Sequence, residues 1–94
     1  MAISREDRRA ARRDRVVAVL GEADAEIALD LLELTELAWH DCYDEITPTE
    51  DIVDDILLCS RGDLAGLVRA ARVAVMDRRD LSVWADAERL RGTK

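Results

Sequence analysis

The chain is 94 residues long, 49% apolar, and carries a net charge of −7. That length holds one domain with one modest core, and the acidic balance disfavours nucleic-acid phosphates and anionic lipid while favouring basic protein surfaces. No apolar run approaches the ~20 residues that span a bilayer, and the opening Met-Ala-Ile-Ser-Arg-Glu-Asp has no apolar signal core, so a cytoplasmic protein is expected.

The charge is unevenly distributed. Residues 1–15 carry six Arg against three acids, residues 22–63 carry fourteen acids against Arg61 alone, and residues 64–94 are again net basic. An acidic middle between basic ends can neutralise itself on folding. With no Phe, two Trp and one Tyr, the core must be built from Leu, Val, Ile and Ala, which suits closely packed helices. Cys42 and Cys59 are expected to remain thiols. They stand at unequal distances from the turn near Thr47, a mismatch of roughly 10 Å along two helices.

Taken in order, Ser4-Arg-Glu-Asp7 resembles a capping box and starts a first helix at Arg5. Residues 4–15 are Arg-rich with only Ala10 and Ala11 apolar. They predict a solvated first half whose charge lies against the acidic middle; the apolar part, residues 16–20, docks, and Gly21 stops the helix. The second helix, residues 23–44, has no Gly or Pro inside. Ile27, Leu31, Leu34, Ala38 and Cys42 form one apolar stripe on it, and Ala28, Leu32, Trp39 and Tyr43 a second beside the first. Together they cover about half the circumference, more than the ~100° of an ordinary surface helix, so at least two other helices should cover this one. Thr47-Pro-Thr-Glu50 reads as a capping box with Pro48 at the first helical position, starting a third helix that runs to Ser60. Its apolar side holds Ile52, Val53, Ile56, Leu57 and Cys59. Glu50, Asp51, Asp54 and Asp55 face the other way, and Leu58 falls among these acids, to be covered by a neighbour or a partner. Arg61-Gly-Asp63 matches an integrin-binding tripeptide, but its Gly and Asp are the stop and start of a helix–turn–helix. A fourth helix, residues 64–79, has Leu64, Leu67, Val68, Ala71 and Val75 on one stripe. A bend at residues 80–82 and a short fifth helix to residue 90, anchored by Leu81, Trp84, Ala85 and Ala87, are expected. One continuous helix over residues 64–90 is the alternative. Residues 92–94 read as a frayed tail.

Chemistry-bearing patterns are few. Glu33-Leu-Thr-Glu36 and Asp51-Ile-Val-Asp54 each place two carboxylates three apart on one helix face, a spacing that suits Mg²⁺. Over residues 33–54 this resembles the acid pairs of the all-α nucleotide pyrophosphohydrolases of the MazG type. The resemblance implies that these four residues would hold Mg²⁺ on a nucleoside triphosphate, although Asp51 stands where that family has Glu. His40 is the sole His, four residues from Glu36, and it reads as a surface residue. There is no Gly-rich phosphate loop and no zinc spacing.

The sequence therefore predicts an all-α antiparallel bundle of four helices, or five with a short last one, forming a single domain over residues 1–94. The leading functional expectation is a non-enzymatic protein-interaction module that self-associates as a homodimer, needing no metal and no cofactor. It rests on an apolar excess over what so short a chain can bury, with Leu58, Trp39 and Trp84 as candidate apolar contacts. A variant makes Glu33, Glu36, Asp51, Asp54 and Asp55 an acidic face for a basic protein, in the manner of an inhibitor or antitoxin. The rival is the Mg²⁺-dependent hydrolase.

Overall fold

The computed structural model describes residues 4–92. Its elements are α1 (Arg5–Leu20), α2 (Glu22–Tyr43), α3 (Glu50–Ser60), α4 (Leu64–Met76) and α5 (Arg78–Gly92). Side-chain contacts give their directions. Arg13 meets Glu22 while Arg8 meets Glu36, so α1 runs against α2. Arg12 meets Glu50 and Arg15 meets Asp54, so α1 and α3 run the same way. Tyr43 reaches Ala74, and residues 31–38 flank residues 68–76, so α2 and α4 run the same way too. The architecture is the all-α up-and-down bundle that the sequence predicts, with five helices. α4 packs against α2, α3 and α5, while α1 leans mainly on α2.

Most helix ends follow from local chemistry. The Ser4 hydroxyl accepts a hydrogen bond from the Asp7 amide at 3.1 Å, as its capping position predicts. Gly21 alone separates α1 from α2, at φ +90°, where a side chain would be strained; its N–H closes α1 on the Val17 carbonyl. Asp63 caps α4 by accepting from the Gly66 amide at 3.0 Å. Two ends differ from expectation. Thr49, not Thr47, caps α3, accepting from Ile52, and Pro48 lies buried before the helix begins. The Thr47 hydroxyl is used elsewhere, in the ion cluster described below.

The second difference is the α4–α5 junction, which falls at Asp77 rather than at residues 80–82, and which rules out one continuous helix. Asp77 has extended backbone (φ −160°, ψ 102°), and its carboxylate accepts from the Arg79 amide at 2.9 Å, capping α5. The Tyr43 hydroxyl, arriving from α2, donates to the Ala74 carbonyl at 2.8 Å and accepts from the Arg78 amide at 3.0 Å. One side chain thereby satisfies a carbonyl at the end of α4 and an amide at the start of α5, groups that a helix break leaves unpaired. α5 is 15 residues long, not short, and continues through Gly92; residues 93–94 lie outside the described part.

The core is Leu, Val, Ile and Ala around a fully buried Trp39. The indole packs on Tyr43 with ring centroids 4.2 Å apart and donates to Glu45 at 2.9 Å. α2 buries Ala25, Ala28, Leu29, Leu32, Thr35, Glu36 and Trp39. Of the two expected stripes only the second is therefore central. The first looks outward: Ile27 is 59% and Leu34 62% exposed, Cys42 is exposed, and Leu31 and Ala38 are half-buried. Likewise α4 buries Leu67, Ala70, Ala71 and Ala74 and leaves Val68 exposed.

Gly66 sits hard against the end of α3. A methyl group there would lie 2.3 Å from the Ser60 carbonyl oxygen, which is backbone and cannot swing aside. Gly66→Ala is expected to destabilise the fold by about 1–3 kcal/mol, despite the ~1 kcal/mol that Ala gains over Gly in a helix. Urea unfolding checks this, and a variant as stable as the wild type would contradict the packing described.

Candidate functional site

The acidic face predicted on the second and third helices is the first candidate site. The structure gives most of it to arginines of the same chain. Glu36 is 3% exposed and lies beneath α1. Arg8 grips it through Nε at 2.6 Å and Nη2 at 3.2 Å, and Arg12, one turn on, donates at 2.9 Å. The Thr47 hydroxyl donates to the same carboxylate at 2.6 Å while accepting from Arg12 at 3.1 Å. Arg12, itself 3% exposed, also holds Glu50 at 2.8 Å, and Arg15 joins Glu50 to Asp54. Three guanidinium groups thus face three carboxylates. Within the predicted solvated start of the first helix, Arg12 is instead buried and Arg8 half-buried, while residues 4–7, 10, 11 and 14 are exposed.

Burial by itself would raise the pKa of Glu36; the hydrogen bonds from Arg8, Thr47 and Arg12 outweigh it and hold the carboxyl below its ordinary range. Glu50 is lowered chiefly by Arg12, against partial desolvation. Of the other predicted acids, Glu33 lies 3.2 Å from Arg9, and the buried Asp55 pairs with Arg89 of α5. Asp51 is exposed. The pairs Glu33/Glu36 and Asp51/Asp54 do not converge, and among the described residues no group of three metal-ligating side chains occurs. Asp55 was expected on the solvent side of α3; its pairing with α5 turns it inward.

Nucleophilic chemistry has no better footing. Burial pushes the Cys59 thiol up to about 11, which leaves it protonated at neutral pH. His40 is exposed beside Arg5, Leu37 and Ile46, and its neighbour Glu36 is taken by α1. A polar cavity of about 390 Å³ near the start of α4 contains Arg61, Arg69 and Arg91, but Glu88 crosses it and holds Arg61 at 2.8 Å.

The predicted apolar contacts divide. Trp39 is enclosed by the core and touches no solvent, a correction set by its place on the inward one of α2's two stripes. Trp84 is half-buried, donating to Glu88 at 3.3 Å, and Leu58 is exposed on α3. A larger apolar feature lies elsewhere. The outward stripe of α2 and the neighbouring side of α4 frame an open groove of about 340 Å³, lined by Leu31, Leu34, Thr35, Ala38, Val68, Ala71, Arg72, Val75 and Met76. Leu34, Val68 and Met76 are 62%, 51% and 68% exposed. The Thr35 hydroxyl is spent on the Leu31 carbonyl at 2.8 Å, so the groove floor offers no polar group, and Arg72 is its one charged lining residue. Sequence reading assigned Leu34, Val68 and Val75 to packing stripes. No signal in the sequence tells which side of each stripe faces out, because that depends on how the helices turn against one another.

No protein-family model matches the chain, and neither a curated protein nor a solved structure shows significant similarity to it.

The Arg8–Arg12–Glu36–Glu50 cluster sets the acid stability. A carboxyl whose pKa is lowered on folding contributes stability that is fully present above its unfolded value near 4.5 and lost as pH falls through the folded value. Thermal melts should be flat in this respect at neutral pH and decline below about pH 4.5. Arg12→Met, which leaves buried carboxylate charge short of a partner, should cost about 3–5 kcal/mol at neutral pH and flatten the acid decline. An unchanged acid profile in that variant would remove the cluster from this role.

Proposed function

We propose that this protein is a non-enzymatic interaction module that self-associates through the α2–α4 groove. The observation carrying this reading is the concentration of exposed Leu34, Val68 and Met76 around one concave, nearly uncharged face. Scattered exposed apolar residues are ordinary on a soluble domain, whereas a contiguous rimmed patch marks a place where another surface docks. Ile27, one turn before Leu31 and 59% exposed, extends the patch along α2. The face is built on two rigid helices fixed to each other by the Tyr43 hydroxyl and the Trp39 core, so little order has to be gained on docking.

The two rival readings draw less support. A basic partner seeking the acids of α2 and α3 would have to displace Arg8, Arg9, Arg12, Arg15 and Arg89, each already paired. A Mg²⁺-dependent hydrolase of the MazG type needs its four carboxylates turned to one point, and here Glu36 sits under α1 with two arginines and a threonine.

Sedimentation at micromolar protein is the test. The wild-type chain is expected to be dimeric, and Leu34→Glu and Val68→Glu should each weaken dimerisation by at least ~100-fold, the scale of losing a central apolar contact, with helical circular dichroism unchanged. A wild-type chain that stays monomeric throughout defeats the proposal.

A further inference from the structure

The charges along the groove's two edges specify how a second copy would lie on it. This inference rests on the self-association proposed above and goes further, to the symmetry of the pair. On α2 the outer edge is acidic. Asp41 follows Leu34 by seven residues and Ala38 by three, so it borders the same stripe, and it is exposed and outside any ion pair among the described residues. Asp30, one turn before Leu34, is held by Arg9 at 2.9 Å and adds nothing to this edge. On α4 the outer edge is basic. Arg72 lines the groove and is exposed and outside any ion pair among the described residues.

Two identical faces meet isologously about a two-fold axis lying in the plane between them. If the axis runs across the helices, α2 lies on the partner's α2 and α4 on the partner's α4. Carboxylates then face carboxylates and guanidinium groups face guanidinium groups. If the axis runs along the helices, α2 of each copy lies on α4 of the other, and acidic edge meets basic edge twice. α2 and α4 run the same way in one chain, so this second arrangement also keeps matching levels together. Tyr43 meets Ala74, and Asp41 and Arg72 each stand two residues before that contact, so they lie within about a helical turn of one level, inside the ~10 Å over which charges act at moderate salt. We propose that the chain forms a two-fold dimer whose axis runs along the helices, α2 of each protomer seated on α4 of its partner. Like charges along a docking surface repel wrong alignments, while opposite ones set the register and speed encounter.

The test is a charge swap followed by sedimentation at low salt. Arg72→Asp makes both edges acidic and should weaken the homodimer about tenfold. Adding Asp41→Arg to that variant restores opposite edges within one chain, so the doubly substituted protein should dimerise with itself again. It should not exchange subunits with differently tagged wild-type protein, because wild-type acids would then meet the introduced Asp. The cross-helix axis requires the reverse, since there the double variant's basic α2 would seek wild-type α2. Dimerisation unaffected by Arg72→Asp, or preferred pairing of the double variant with wild type, overturns the arrangement. So does association that continues past two copies, the mark of a non-closing contact. Failure of the underlying self-association has a different signature: a wild-type monomer, or a dimer indifferent to Leu34→Glu.

Discussion

Arg12 and Glu36 are both almost completely removed from water, and the rest of the bundle is arranged so that this is tolerable. Burying an ion pair costs several kcal/mol per charge unless further hydrogen bonds complete its shell. Here Arg8, Thr47 and Glu50 supply them, and no buried polar side-chain atom is left without a partner among the described residues. Because the ligating groups come from α1, α2, the loop after α2 and the first turn of α3, one neutral cluster ties four segments together. It also explains how α1 docks although its first half offers only Ala10 and Ala11 as apolar residues. Arginine stems fill the space that Leu or Val occupies in other helices, and the guanidinium groups stay charged by meeting acids.

That cluster has a consequence for the surface of the molecule. Glu36 lies on α2 opposite the stripe that begins at Ile27, so turning Glu36 toward α1 directs Ile27 and Leu34 away from the centre. The small residues Ala25 and Ala28 and the stripe of Leu32 and Trp39 become central instead. α4 follows the same logic, offering Ala70, Ala71 and Ala74 inward and Val68 and Met76 outward. Small residues let the helices approach closely but bury little area each. Leu34, Val68 and Met76, left outside, frame the groove. Charge pairing on one side of α2 and an apolar face on another are thus two results of a single rotation about the helix axis.

Tyr43 plays a comparable part at the far end. Its hydroxyl joins the last turn of α4 to the first amide of α5, and Arg78 lies 5.0 Å from its ring and 5.9 Å from the Trp39 ring. The groove is therefore bounded by helices whose relative position is fixed through side-chain contacts from α2 and not by a long connecting loop.

Sequence alone settled the helical class and the boundaries made by nearest-neighbour chemistry: Ser4, Gly21, Asp63 and the end of α3 at Ser60. It also indicated that basic ends would meet an acidic middle. Only the tertiary structure decided which of α2's two adjacent stripes faces inward, that Thr49 and not Thr47 caps α3, and that the chain breaks at Asp77. The reason is the same in each case. A wheel ranks positions by their own polarity, and by that measure Glu36 belongs in water and Leu34 in the core. Which way the helix turns depends on partners 24 to 28 residues away, Arg12 and Arg8, and on a hydroxyl whose neighbours appear only once α1 has folded back.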